Sequence, residues 1–336
     1  MLKITTMSTI IVDDLVKQFK IADPLRGSGI RKFKEYLFPT YQSISAVNGI
    51  SFSVQAGERV AFIGPNGAGK STTIKILTGI MQPTSGRVEV LGMTPVKQRK
   101  RLAYQIGAVF GQRSQLWYHL PVQDTLTLLA AIYNIPTVDY ERRLKELTEK
   151  FHVTHLLTKP VRQLSLGERM RCEIVASFLH KPSVLFLDEP TIGLDITAKA
   201  IIRDLIRQQS VQEGVTLLLT SHDTDDIEKV CDRVVIINRG ELLLDDSLTN
   251  LKTRYIRKKV LKVVAEEENI VWSEPGIQVL EQTPHHLTID IDITVHAVEK
   301  IVTNLLANYT IKDLTIEDPP LENIIHSLYD YGNTQS

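Results

Sequence analysis

Ala61-Phe62-Ile63-Gly64-Pro65-Asn66-Gly67-Ala68-Gly69-Lys70-Ser71-Thr72-Thr73-Ile74-Lys75-Ile76-Leu77 is the stretch that decides the fold. The apolar run that ends at Ile63 reads as a strand. Gly64, Gly67 and Gly69 break it, and Ser71 onward reads as a helix. A strand, a glycine-rich turn and a helix, in that order, are the context in which G-x-x-x-x-G-K-[ST] is a phosphate cradle. Glycines let consecutive backbone N–H groups curl around phosphate oxygens without side-chain clashes. The helix that starts near Lys70 adds its unsatisfied N–H groups and the positive end of its dipole. Lys70 is placed to reach β- and γ-phosphates, and the Ser71 hydroxyl to ligate Mg²⁺.

Downstream, Val184-Leu185-Phe186-Leu187-Asp188-Glu189 is an apolar strand with two carboxylates at its C-terminal end, the edge where ligands sit in an α/β sheet. Asp188 is expected to hold Mg²⁺ and Glu189 to orient and polarise an attacking water. Neighbouring side chains on a strand point oppositely, so the strand must end at Asp188 if both are to serve one site; Pro190 is a reason for it to end there. Val215-Thr216-Leu217-Leu218-Leu219 reads as another buried strand, and such strands suit a parallel sheet covered on both faces.

Upstream, residues 10–19 and 50–63 alternate apolar and polar side chains as half-buried strands do. Between them lies an insert, about residues 20–46, whose several basic and aromatic side chains read as a solvated loop, with a contact to lipid headgroups or a partner as the alternative. Residues 122–160 read as a helical block. Near Asp246 the pattern runs out. A basic stretch follows (Lys252, Arg254, Arg257, Lys258, Lys259, Lys262), and then strands and helices of a small α+β module.

The chain has 336 residues, with 39 Lys plus Arg against 39 Asp plus Glu, so no basic excess points to nucleic acid. No apolar stretch approaches the roughly 20 residues that span a bilayer, and no signal-peptide pattern opens the chain. The two cysteines, Cys172 and Cys231, are too few for a disulfide framework. His285 and His286 have no Cys or acidic set at metal-ligand spacing, so no zinc site is expected there.

Together these residues resemble the ATP-binding-cassette superfamily over about residues 10–246. Gln112, in Ile106-Gly107-Ala108-Val109-Phe110-Gly111-Gln112, resembles the family's glutamine that senses Mg²⁺ and the attacking water. Leu164-Ser165-Leu166-Gly167-Glu168 resembles the signature LSGGQ, with Leu166 replacing a glycine and Glu168 a glutamine. Gly193-Leu194-Asp195 resembles the loop that crosses between two nucleotide sites, and His222 the histidine that contacts the γ-phosphate.

The resemblance implies a P-loop NTPase α/β fold. Its parts are a RecA-like parallel-sheet core, an antiparallel β subdomain and a helical subdomain at about residues 113–180. The cassette is expected over residues 1–247, with a small α+β accessory domain over 248–336. The implied activity is ATP hydrolysis coupled to transport, with ATP and Mg²⁺ as cofactors. Glu189, His222 and Gln112 are the implied catalytic residues, and Ser71, Gln112 and Asp188 the metal site. Nucleotide contacts are implied for Gly64, Pro65, Asn66, Gly67, Ala68, Gly69, Lys70, Ser71 and Thr72. Phe19 sits where the family stacks an aromatic ring on adenine. Ser165, Gly167 and Asp195 are implied to meet the nucleotide of a second cassette, identical or not.

Implied partners are separately encoded transmembrane permease subunits, at the cytoplasmic face of the membrane. Trp117, Tyr118 and His119 lie where such a subunit would dock, although packing against the helical block is an equal reading. The runs GQRSQLWYHLP, AAIYNIP and KPVRQLSLGERMRCE look like viologen- and daunorubicin-type exporter ATPases, which move drugs or small hydrophobic molecules. Polysaccharide exporters, importers and soluble cassette proteins acting on ribosomes or DNA remain alternatives. The set Glu189, Gln112 and His222 argues against a non-hydrolysing regulator.

Overall fold

The computed structural model describes residues 8–22, 41–111, 114–255, 258–268, 270, 272, 277–318 and 321–334, and the chain divides into two units, residues 1–246 and 247–336. In the first unit, β1 (Ser8–Ala22) pairs antiparallel with β2 (Tyr41–Gln55) and with β4 (Ser85–Val90), giving the order β2-β1-β4. The main sheet runs β5-β6-β7-β3-β8-β9, from β3 (Arg59–Ile63), β5 (Ile106–Phe110), β6 (Val184–Asp188), β7 (Thr216–Thr220), β8 (Arg233–Asn238) and β9 (Glu241–Ser247). Its pairs β5/β6, β6/β7, β7/β3 and β3/β8 are all parallel.

The helices of this unit are α1 (Lys70–Leu77), α2 (Arg99–Ala103), α3 (Val122–Ile132), α4 (Thr137–Lys150), α5 (Leu166–Phe178), α6 (Ile196–Glu213) and α7 (Thr224–Val230). Side chains from the two sheets and α1 meet in one cluster that includes Ile10, Leu15, Val47, Ile50, Phe52, Phe62, Ile74, Leu77 and Phe186. Burying a side chain as large as Phe62 or Phe186 contributes about 2–3 kcal/mol, so this cluster fixes α1 and the turn before it against the main sheet.

Two differences from the sequence-based expectation concern the first hairpin. Residues 50–63 do not form one strand. β2 ends at Gln55, the chain turns through Gly57 (φ 76°), and β3 enters the other sheet. β2 alternates buried with more exposed residues near its end, whereas β3 is buried throughout after Arg59, and Gly57 is the turn signal between them. The insert is also shorter than residues 20–46, because β1 and β2 continue to pair out to Ala22 opposite Tyr41. The remainder, residues 23–40, lies outside the described residues, and with it both the solvated-loop reading and the alternative headgroup or partner contact.

Helices α3, α4 and α5 pack through apolar faces that include Leu126, Leu147, Phe151 and Phe178. Arg143 of α4 is buried there, donating to the Phe178 carbonyl at 3.0 Å and pairing with Glu213 at the end of α6. Both cysteines are free and buried. Desolvation pushes the Cys172 thiol up to about 12 and raises that of Cys231 as well.

The second unit holds α8 (Leu248–Tyr255), then an antiparallel sheet of order β11-β12-β10-β13, with β10 (Lys258–Ala265), β11 (Ile277–Thr283), β12 (His286–Asp292) and β13 (Ile311–Glu317). Helix α9 (Val298–Asn308) lays Ile301 and Leu305 on Leu261, Val263, Leu287 and Ile289; α10 (Leu321–Thr334) follows. Among the described residues, no helix is long and apolar enough to cross a membrane. No group of three His, Cys, Asp or Glu among them could hold a metal ion.

Candidate nucleotide site

The turn between β3 and α1 is shaped by glycine where no other residue fits. Gly69 caps α1 at φ 107° and ψ 0°, and a Cβ there would lie 2.5 Å from the Ala46 carbonyl oxygen of β2. Lys70 follows and is 6% exposed. Its Nζ donates to the Gly64 carbonyl at 2.6 Å and to that of Pro65 at 3.3 Å. Burial lowers the Lys70 pKa, and the nearby Glu189 and Asp188 carboxylates partly offset that.

β6 ends at Asp188, and Glu189 takes φ 53°, a left-handed conformation uncommon for a residue with a side chain. This turn lets two consecutive acidic residues line one cavity. Asp188 Oδ1 accepts from Ser71 Oγ at 3.3 Å and from Thr220 Oγ1 at 2.6 Å. The Glu189 N–H is held by the Thr220 carbonyl at 3.0 Å and by Thr220 Oγ1 at 3.1 Å. His222 Nδ1 lies 3.6 Å from Glu189 Oε1, beyond hydrogen-bond range but close enough for the protonated ring to pair with it.

Around these groups is an open cavity of about 1130 Å³. Gly64, Pro65, Asn66, Gly67, Ala68, Gly69, Lys70, Ser71 and Thr72 line one wall; Asp188, Glu189 and His222 line another, with Phe110 and Gly111 beside them. Gln112 follows Gly111 but lies outside the described residues. Phe19 is not among the lining residues; it is half-buried on β1 opposite Ile44, with Lys17 Nζ 5.2 Å from its ring centroid. Thr220 was not singled out from the sequence as a site residue. Its only sequence signal is a hydroxyl at the last position of an apolar strand beside the carboxylate strand.

Ser165, Gly167 and Asp195 are not in this cavity. They line another, of about 300 Å³, together with Leu166, Glu168 and Gly193. Ser165 caps α5 and Glu168 closes a capping box. Ser165 Oγ accepts from the Glu168 N–H at 3.3 Å, and Glu168 Oε2 accepts from the Ser165 N–H at 2.8 Å. That backbone hydrogen bond is the main reason the Glu168 pKa is lowered. The departure at residue 168 therefore places a fixed negative charge at the helix N-terminus, where the dipole favours it. Asp195 caps α6 in the same way, accepting from the Ala198 N–H at 2.8 Å.

The chain is similar to known proteins. Residues 47–192 match the family model described as ABC transporter. The linearmycin resistance ATP-binding protein LnrL of Bacillus subtilis is 31% identical over 302 residues, 88% of this chain and 96% of the relative. The bacitracin transport ATP-binding protein BcrA of Bacillus licheniformis is 33% identical over 229 residues, 68% of this chain and 73% of the relative. Among solved structures, cbiO1 of Clostridium perfringens, part of the ABC transporter complex cbiONQ, superposes with a TM-score of 0.59 at 26% identity. That match covers 74% of this chain and 91% of the solved one.

The chain belongs to the ATP-binding proteins of the ABC transporter family. It is the subunit that binds ATP and hydrolyses it, coupling hydrolysis to transport.

Proposed function

We propose that this chain is the motor of an exporter of drugs or other small hydrophobic molecules, acting at the cytoplasmic face of a membrane beside separately encoded permease subunits. The observation that carries the motor assignment is the division of labour between two cavities. Lys70, Ser71, Asp188, Glu189 and His222 face one, whereas Ser165, Gly167 and Asp195 face the other. A nucleotide held in the first would lack the signature residues of its own chain, and a second cassette would supply them. ATP would thus be shared between two chains, and its hydrolysis would release the pair. The names of the relatives LnrL and BcrA, which speak of antibiotic resistance and transport, favour an exporter over an importer.

Within the site, the backbone N–H groups of Asn66 to Ser71 and the Lys70 ammonium would hold the phosphates. Ser71 and Asp188 are hard oxygen ligands 3.3 Å apart, which suits Mg²⁺ completed by phosphate oxygens and water. Bound there, Mg²⁺ would neutralise charge on the β- and γ-phosphates. Glu189 orients a water and draws its proton as the water oxygen bonds to the γ-phosphorus. The bond from that phosphorus to the bridging oxygen breaks, and ADP leaves with the electron pair. His222 donates toward the transferred phosphoryl group. Phe19 would approach adenine from β1.

Recovery of the tagged chain from gently solubilised membranes is expected to bring a multi-spanning membrane protein with it. Recovery of ribosomes or nucleoid proteins alone would overturn the transport-motor reading. Trp117 and Tyr118 are 40% and 57% exposed and stand before α3, which suits contacts with such a subunit. Trp117→Ala should therefore lower recovery of that protein about tenfold, the scale of a single anchor residue, with ATP binding unchanged. Equal recovery would make Trp117 a packing residue only.

A further inference from the structure

Two short loops carry the groups assigned to the hydrolytic step. One follows β6 and runs Glu189-Pro190-Thr191; the other follows β7 and runs Ser221-His222-Asp223. Neither loop is regular structure, so the separation of Glu189 and His222 depends on what holds the loops from beneath. Thr191, Ser221 and Asp226 are 4%, 3% and 1% exposed, and none of them lines the nucleotide cavity.

Their polar atoms converge. Asp226 Oδ2 accepts from Thr191 Oγ1 at 2.5 Å and from Ser221 Oγ at 2.6 Å. Asp226 Oδ1 accepts from Arg203 Nε at 2.5 Å. Arg203, 4% exposed in its side chain, also reaches Asp223 at 2.8 Å and Asp225 at 3.1 Å. The loop after β7 is closed further by the Asp223 N–H, which donates to Ser221 Oγ at 3.0 Å. A buried carboxylate is costly unless its oxygens are met by donors. Here one carboxylate is met by one donor from each of the two catalytic loops and one from α6.

We propose that Asp226 is a positioning residue that holds Glu189 and His222 in register for hydrolysis, with Arg203 as its buried counter-charge. This rests on the roles given above to Glu189 and His222. Thr191 is two residues from Glu189, and Ser221 adjoins His222, so a shift in either hydroxyl anchor moves a reacting group. α6 also carries Asp195 at its N-terminus, so Arg203 ties the register of both loops to the helix that begins at the second cavity.

Thr191→Val and Ser221→Ala each remove one anchor while leaving the Arg203–Asp226 pair in place, so both variants should fold. In the full chain, each should lower kcat for ATP about tenfold, and Asp226→Asn about a hundredfold, the scale of a misplacement near 1 Å. KM for ATP and the melting temperature of the two hydroxyl variants should stay near wild type, and Thr191→Ser should restore most of kcat. Wild-type kcat in both hydroxyl variants would overturn the proposal. So would a loss in which KM and melting temperature move as much as kcat, because that is the mark of a merely structural bond. Glu189→Gln is run alongside. If wild type turns over and Glu189→Gln does not, a failure in the anchor variants falls on Asp226 alone. If Glu189→Gln turns over normally, the assignment of the site falls, and this inference with it.

Discussion

Replacing Glu189 with glutamine is expected to stop ATP turnover while leaving ATP binding intact. The substitution keeps the size of the side chain and one oxygen, but it removes the carboxylate that accepts a proton. General-base positioning of this kind contributes about 10²–10⁴-fold in rate, so single-turnover hydrolysis should fall by that order. Binding should persist because phosphate contacts come from the Gly64 to Ser71 turn and Lys70, on the other wall of the cavity. Removing a negative charge that acts on Lys70 also takes repulsion away from the γ-phosphate. The variant should therefore accumulate with ATP bound and, if two cassettes share nucleotide, as a dimer on size exclusion. Hydrolysis at the wild-type rate would remove Glu189 from the mechanism.

The second large effect is expected at Gly69. An alanine there must hold φ near 107°, which costs about 1–3 kcal/mol, and its Cβ would meet the Ala46 carbonyl at 2.5 Å. That oxygen belongs to the backbone of β2, whose neighbour Val47 is fully buried, so it has little room to retreat. The phosphate turn must move instead. Gly69→Ala should weaken ATP binding about a hundredfold, or roughly 2.7 kcal/mol. The melting temperature should fall by several degrees, since about 1 kcal/mol shifts a unit of this size by about 2–4 °C. Titration with nucleotide and a thermal melt read the two effects separately. Wild-type values in both would mean that the turn tolerates a side chain at residue 69.

How much of this was legible beforehand follows from where the information resides. The phosphate turn could be read from local sequence because Gly64, Gly67 and Gly69 mark places where backbone needs freedom within one short stretch. β6 and β7 were legible because strands buried on both faces need an unbroken apolar run. The left-handed conformation of Glu189 was not, because it is imposed by Thr220 from the neighbouring strand, through hydrogen bonds to the Glu189 N–H. Pro190 says only that the strand stops. The division of residues 50–63 between two sheets was hidden because the alternating end of β2 runs into the continuous apolar run of β3 with Gly57 as the one turn signal. The convergence on Asp226 was hidden by distance along the chain, with Thr191 and Arg203 lying 35 and 23 residues away. Ser165 and Glu168 were legible as a signature, but the reciprocal hydrogen bonds between them emerge only when α5 forms.

The two buried cysteines have a practical consequence. A thiol held near pKa 12, as at Cys172, carries almost no thiolate at neutral pH. Cys231 is shielded in the same way, so the folded chain should give little background with maleimide dyes or bifunctional thiol linkers. A cysteine introduced at Ile196, which is 85% exposed beside Asp195, would then be the one reactive handle on the chain. It would let the approach of two cassettes be followed as a distance in real time, without first rebuilding the protein to be cysteine-free.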